Sequence, residues 1–401
     1  MLKPAPIPNG SEGPEPRSRS GSSPAEKPKG RSAIDTTVPT GTVRRYDTRR
    51  PVVGRRPFTI PGVNRRILTL LAAVLPVVAF GVLLTAVTVP FVSLGPGPTF
   101  DTLGMIDGKQ VVDIEGTTTH PTTGHLNMTT VSQRDGLTLG EALALWLSGR
   151  EQLMPRDLVY PPGKSRQEVD DSNDADFRAS EQSAEYAALG YLRYTSAVTL
   201  ADVHDPGPSA GALRRGDAVD SVNGEPVYTV AQFTARLADT KPGETVVINY
   251  RRKNAAPGTA RITLGENKDR ANGFLGVSVL DAPWAPFTID FNLANIGGPS
   301  AGLMFSLAVV DKLTTGTLAG PNFVAGTGVI KANGQVDAIG GISHKMLAAR
   351  EAGATVFLVP ADNCYEARND DKGLQLVKVD SLAQAVGALR TITDGGQPPS
   401  C

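Results

Sequence analysis

Between Arg66 and Asp101 the chain carries no charged side chain, and inside that gap runs ILTLLAAVLPVVAFGVLLTAVTVPFV, Ile67 to Val92. At ~1.5 Å per helical residue the run exceeds the roughly 30 Å hydrocarbon thickness of a bilayer. A buried core helix rarely avoids polar side chains for so long, and a cleaved signal peptide has a shorter basic flank and a shorter apolar region. The run reads as a single transmembrane helix over 66–92. Arg55, Arg56, Arg65 and Arg66 crowd its first flank and no comparable basic cluster follows it. The positive-inside rule then places the N-terminus in the cytoplasm and everything after Val92 outside the cell membrane.

Charge supports that division. The formal net charge of the 401 residues is zero, yet residues 1–66 hold fourteen Lys or Arg against five Asp or Glu, leaving a mildly acidic remainder. An acidic body argues against nucleic acid as a partner. Residues 1–65 are rich in Pro, Ser, Gly and charge, with almost no apolar periodicity. They are expected to be a disordered basic cytoplasmic tail, because they cannot bury enough apolar surface to offset ordering entropy. The two cysteines, Cys364 and Cys401, both fall in the exported part, where an oxidising compartment permits a disulfide between them. The four histidines, His120, His125, His204 and His344, lack ligand spacing, so no metal and no cofactor is expected.

Beyond the apolar run, GPGPTFDTLG reads as a Gly/Pro-rich stalk, KQVVDIEG and GHLNMTTVS as strands, and LTLGEALALWLSG as a helix. Pro155 to Phe177 reads as a polar surface loop, and SEQSAEYAALGYL as a helix. From Arg193 the pattern P-S-A-G-x-L-x-x-G-D-x-V-x-x-V-N-G begins a compact unit. Thr229 is a candidate N-cap for a helix with Val230, Phe233 and Leu237 on one face, and Val246, Ile248 and Tyr250 alternate on the following strand. These residues resemble a PDZ domain of the kind found in envelope proteases. The resemblance implies peptide binding beside a strand and a helix, with the groove somewhere within 189–240 and Leu189-Gly190-Tyr191 a weak candidate for its carboxylate loop.

The last 120 or so residues mix strands and helices in an order that suggests an α+β domain. There Gly297-Gly298-Pro299 brings Ser300 to the start of the apolar segment SAGLMFSLAVVDKL. A glycine turn that frees backbone N–H groups beside a helix N-terminus is what a tetrahedral oxyanion needs next to an attacking hydroxyl. Alone, such a serine is more commonly a helix cap. GPSAG also occurs twice, with Ser209 in the first copy, so the pentapeptide by itself is weak evidence. The second copy is followed by GTG and then by IGGISHKMLAAREAGATVFLVPADN. Together these blocks resemble the proteolytic domain of the Lon family, and within it the membrane-anchored, PDZ-containing bacterial branch.

The resemblance implies a fold, an activity and a set of site residues. The fold is an α+β Lon-type proteolytic domain with a PDZ domain inserted into it, after a single transmembrane helix. The expected boundaries are 93–192 for the N-terminal part, 193–275 for the PDZ domain and 276–401 for the proteolytic part. Ser300 falls on the nucleophile, Lys345 on the general base and Thr327 on the threonine that positions the lysine, with Gly298 and Pro299 forming the supporting turn. Gly297 and Val329 stand where relatives often carry acidic residues. The implied activity is that of an ATP-independent extracytoplasmic endopeptidase acting on unfolded or PDZ-selected proteins, since no G-x-x-x-x-G-K-[ST] loop occurs in the chain. Related domains form rings, so a homo-oligomer, a hexamer, is implied as well.

For such a base to be neutral near pH 7, its pKa must fall from ~10.4 by roughly three units. The helix dipole supplies only ~0.3–1 kcal/mol, so burial must do most of it. Ser343 is a candidate cap placing Lys345 in the first turn of its helix, among Ile339, Ile342 and Met346. Lys331 beside a turn and Lys312 at a helix end are expected to stay solvated and charged. His344 adjoins Lys345, but neighbouring helix residues point ~100° apart, so both cannot face one hydroxyl. The alternative reading is a non-catalytic PDZ-containing adaptor or scaffold.

Overall fold

The computed structural model describes residues 64–267, 270–294 and 296–401. The expected basic tail lies, up to residue 63, outside the described residues. The apolar run forms helix α1, Arg65–Ala86, ~33 Å long at 1.5 Å per residue. It is long and apolar enough to cross a membrane, and none of its residues is buried. The helix is shorter than the expected 66–92, because Phe91 and Val92 belong to the strand that follows.

That strand, β1, Phe91–Asp101, is a correction: the Gly/Pro segment is not a stalk. Its register shifts between Pro96 and Thr99, so Pro96-Gly97-Pro98 occupies an irregularity in the ladder. Prolines, which lack an N–H, are tolerated at such positions. There follow β2, Val112–Glu115, and β3, His125–Arg134; helix α2, Leu139–Ser148; strand β4, Gln152–Pro155; and a single turn α3, Arg156–Val159.

Helix α4, Arg166–Tyr191, is a second correction, since the expected surface loop supplies its first half. A capping box starts it, with Ser165 accepting from the Glu168 N–H while the Glu168 carboxylate accepts from the Ser165 N–H. Apolar periodicity appears only where the helix turns a face inward, at Phe177, Ala184, Ala187 and Ala188. The solvated half carries no pattern to read. Leu189-Gly190-Tyr191 is the last turn of this helix, and Leu189 is fully buried in the main core, so it is no carboxylate loop.

The next unit contains β5, Ser196–Val203; β6, Ala218–Val222; helix α5, Val230–Leu237; β7, Thr245–Arg251; β8, Gly258–Thr263; and β9, Val277–Pro283. Thr229 caps α5, accepting from the Gln232 N–H. The strands form one sheet in the order β8-β7-β6-β5-β9, so the sheet extends past the expected boundary at 275. Leu200, Ile248, Ile262 and Phe233 fill its core.

The remaining elements are β10, Thr288–Phe291; α6, Gly302–Leu313; β11, Phe323–Gly326; the short antiparallel pair β12, Val329–Ile330, and β13, Val336–Asp337; α7, Ile342–Glu351; β14, Val356–Pro360; α8, Cys364–Ala367; β15, Gln375–Val379; and α9, Leu382–Thr393. Strands from both ends of the sequence share one sheet, ordered β15-β14-β11-β3-β1-β4, in which β11 runs parallel to β3 and β14. Alternation along β14 divides its side chains between two cores. Val356 and Leu358 pack with residues of α4, α6 and α9, whereas Phe357 and Val359 pack with Ile342 and Met346 of α7.

Candidate active site

The two helix layers meet at the carboxyl end of β11, where Thr327 is the first residue past the strand. From one layer comes the turn before α6. Gly298 adopts φ +85°, a left-handed conformation that suits glycine, and its N–H donates to the Asn173 carbonyl of α4 at 2.8 Å. Ser180 of α4 is buried and donates to the Pro299 carbonyl at 2.9 Å. Gly297 and Pro299 are exposed and Ser300 is half-buried. Ser300 lies two residues ahead of α6, whose N-cap position is Ala301, so it is not the cap of that helix. Among the described residues, the Ser300 and Ala301 N–H groups have no hydrogen-bond partner, whereas the Gly298 N–H is already engaged.

From the other layer comes Lys345. Its helix is capped at Gly341, φ +69°, rather than at Ser343, and the Lys345 N–H closes the first turn on the Gly341 carbonyl. Its side chain is 3% exposed. The Lys345 Nζ lies 2.7 Å from Ser300 Oγ, 2.9 Å from the Thr129 carbonyl and 3.2 Å from Thr327 Oγ1. Thr327 Oγ1 in turn donates to the Ser300 carbonyl at 3.1 Å. Among the described residues no carboxylate forms an ion pair with this amine, and burial pushes it down to about 8 from an ordinary value of 10.5.

Ser300, Lys345, Thr327, Gly298 and Pro299 are thus brought together in space. Thr129 of β3 was not legible in advance, because its contact runs through a main-chain carbonyl and leaves no residue-type signal. The other copy of GPSAG behaves differently: Ser209 is fully buried and its hydroxyl donates to the Leu275 carbonyl at 2.6 Å. The His344 ring is half-buried, and burial pushes its imidazole below the usual range. Lys331 is exposed and pairs with Asp337 at 2.9 Å. Lys312 overturns its expected solvation: it is 6% exposed and donates to Gln110 Oε1 and the Val112 carbonyl. The last turn of α6 is covered by the β2 segment rather than by water. Cys364 and Cys401 are joined, with Cα atoms 5.1 Å apart. Among the described residues no cluster of three His, Cys, Asp or Glu side chains has metal-binding geometry.

Away from this site, a cavity of about 720 Å³ is lined by Arg178, Glu181 and Glu185 of α4 together with Arg215, Lys253 and Trp284. It includes neither Ser300 nor Lys345. In the second sheet β9 pairs only with β5, leaving its other edge unpaired among the described residues. Helix α5 lies beside it, with the Val230 N–H donating to Asp281 Oδ1 at 2.8 Å. One of these two elements lies within 189–240 and the other beyond it.

Residues 295–386 match the model of the Lon protease (S16) C-terminal proteolytic domain, and residues 172–264 match that of the PDZ domain. The Lon protease of Clostridioides difficile is 45% identical over 65 residues, 16% of this chain and 8% of that protein. The Lon protease of Heliobacterium modesticaldum is 37% identical over 93 residues, 22% of this chain and 11% of that one. The chain therefore spans about a tenth of the length of the curated relatives it matches. Among solved structures, the PDZ domain of the SdrC-like protein from Listeria monocytogenes is 27% identical, covering 21% of this chain and 86% of that one, with a TM-score of 0.20. The chain carries a Lon-protease C-terminal proteolytic domain and a PDZ domain.

Proposed function

We propose that this protein is a membrane-anchored, ATP-independent serine endopeptidase whose catalytic part lies outside the cell membrane. Ser300 is its nucleophile and Lys345 its general base. The observation that carries this reading is the 2.7 Å separation of Lys345 Nζ and Ser300 Oγ in a buried site where no described residue supplies a counter-ion. A neutral amine has two hydrogens and one lone pair. Thr129 and Thr327 offer acceptors for the two hydrogens, and the Ser300 hydroxyl is the donor left for the lone pair.

On this reading Ser300 Oγ attacks the scissile carbonyl carbon while its proton passes to Lys345 Nζ. The tetrahedral oxyanion is met by the unpartnered Ser300 and Ala301 N–H groups. Collapse expels the amine, which takes the proton back from Lys345, and leaves an acyl-enzyme. Water then attacks the acyl carbon while giving a proton to Lys345; the bond from that carbon to Ser300 Oγ breaks, the serine oxygen takes the proton back from Lys345, and the acid leaves. Thr327 keeps the amine aimed, because its hydroxyl hydrogen is committed to the Ser300 carbonyl.

The PDZ domain is inserted between the two sequence halves of the proteolytic domain, a reading supported by the sheet that joins β1 and β3 to β11, β14 and β15. It selects substrates by taking an extended peptide along the free edge of β9, beside α5. The disulfide supports an oxidising compartment. The arginine-flanked α1 supports a single span with the N-terminus in the cytoplasm.

The test is degradation of an unfolded protein such as casein by the full-length protein in lipid vesicles, compared with Ser300→Ala and Lys345→Ala. Both variants are expected to lose at least ~10²-fold in rate. Full activity in either removes the assignment. Retained peptide binding without cleavage by the unaltered protein would favour the non-catalytic adaptor.

A further inference from the structure

Among the described residues, helix α2 leaves an apolar stripe without a protein partner. Leu143, Trp146 and Leu147, spaced i, i+3 and i+4 on one face, are 41%, 64% and 70% exposed, while Ala142 points into the protein. The stripe is continuous with α1. Gly140, in the first turn of α2, lies so close to α1 that a Cβ there would stand 3.0 Å from the Leu84 carbonyl oxygen. The Leu139 N–H donates to the Val87 carbonyl at 2.8 Å, and the Val89 N–H to the Leu137 carbonyl at 2.9 Å. Thus α2 starts against the last turn of α1, within the apolar run rather than beyond it.

We propose that α2 is an interfacial helix that lies in the outer boundary of the lipid bilayer, with Leu143, Trp146 and Leu147 immersed at the level where acyl chains meet headgroups. The inference rests on the reading of α1 as a membrane span. Whatever covers the exposed apolar side chains of α1 up to Leu83 reaches the start of α2, and a bilayer does this without further design. A protein partner fits less well. Three side chains offer at most a few hundred Å², well below the ~1,000 Å² that a stable protein interface needs. A shallow apolar face with a tryptophan is what an interfacial helix requires. The consequence is orientation: α2 leads directly into β4, which pairs with β1 in the sheet whose neighbouring strand β3 supplies the Thr129 carbonyl to Lys345. The membrane surface would therefore fix the tilt of the active site as well as its distance from the bilayer.

Tryptophan quenching tests this on the full-length protein in phosphatidylcholine vesicles. The chain has two tryptophans, and the difference between wild type and Trp146→Phe isolates Trp146 from the buried Trp284. Lipids brominated near the headgroup end of the acyl chain are expected to quench Trp146 more than lipids brominated near the chain terminus. In the Trp146→Phe background, Phe80→Trp reports on α1 six residues before its last residue, deeper than Trp146, and is expected to show the opposite depth order. Quenching at Phe80→Trp without quenching at Trp146 overturns the interfacial helix and leaves the span standing. Absence of quenching at both sites removes the span, and the inference with it. If Trp146 is shielded from aqueous iodide but untouched by bromolipid, and Leu147→Cys crosslinks between copies, the face is an interface between copies and the proposal is wrong. Because Leu147 is mostly exposed, Leu147→Cys carrying a polarity-sensitive dye gives a second reading that does not depend on tryptophan, with a blue shift on reconstitution expected.

Discussion

Each contact around Lys345 has a partner that fixes its direction. Thr129 offers a carbonyl, which can only accept, and Thr327 has its own hydrogen engaged with the Ser300 carbonyl. The one group free to give a proton to the amine is the Ser300 hydroxyl. Burial is what makes that direction available, since it disfavours the ammonium and no anionic group among the described residues restores it. On the proposed mechanism the amine is the base, so its protonated fraction is inactive and the sign of the pH dependence follows. With the amine at about 8, kcat/KM is expected to rise about tenfold per pH unit below that value and level off above it. A profile that instead falls across pH 7–9 would exclude Lys345 as the base. Lys345→Arg should be inactive throughout this range, because a guanidinium stays protonated.

At the scale of elements, α4 joins two parts of the protein. Its cap holds the first turn in place, its middle supports the Ser300 turn through Asn173 and Ser180, and its last turns approach the second sheet, where Glu185 pairs with Lys253. These roles separate by mutation. Ser165→Ala removes a solvent-exposed cap and is expected to cost about 0.5–2 kcal/mol in chemical denaturation with kcat unchanged. Ser180→Ala leaves the Pro299 carbonyl without its donor, so a loss of about 1–3 kcal/mol is expected together with a lower kcat, because the turn carrying Ser300 loosens. Equal activity in the two variants would show that α4 is only scaffolding.

For the whole molecule, the C-terminal tail is tied back onto the fold. Cys364 and Cys401 close a loop of 37 residues, and the Lys378 N–H reaches the Pro399 carbonyl at 3.0 Å beside the bridge between Val377 and Ser400. Loop-closure entropy for that length corresponds to about 4 kcal/mol. The double variant Cys364→Ser with Cys401→Ser is expected to unfold at lower denaturant by about 2–4 kcal/mol while cleaving at an unchanged rate when folded. An unchanged midpoint would show that the tail contacts alone hold this end.

How much of this was legible in the sequence depended on whether the signal was local. The apolar run, the α5 cap at Thr229, and the blocks around Ser300, Thr327 and Lys345 are written in consecutive residues. Chain-local chemistry dictates them. Elements whose character comes from neighbours were misread. The chain through Pro96-Gly97-Pro98 is a strand because β3 pairs with it on both sides of that irregularity and β4 pairs with its first residues, Phe91 to Leu94, and the first half of α4 is helical without an apolar face to announce it. Lys312 is hidden because the β2 segment folds over it from 200 residues away. The same holds at the centre of the site. Sequence named the alcohol, the amine and the threonine, but only the packing of two helix layers against one sheet decided that they meet and that a carbonyl from β3 joins them. An amine's proton affinity depends on what surrounds it in space, and that is set by contacts between residues far apart along the chain.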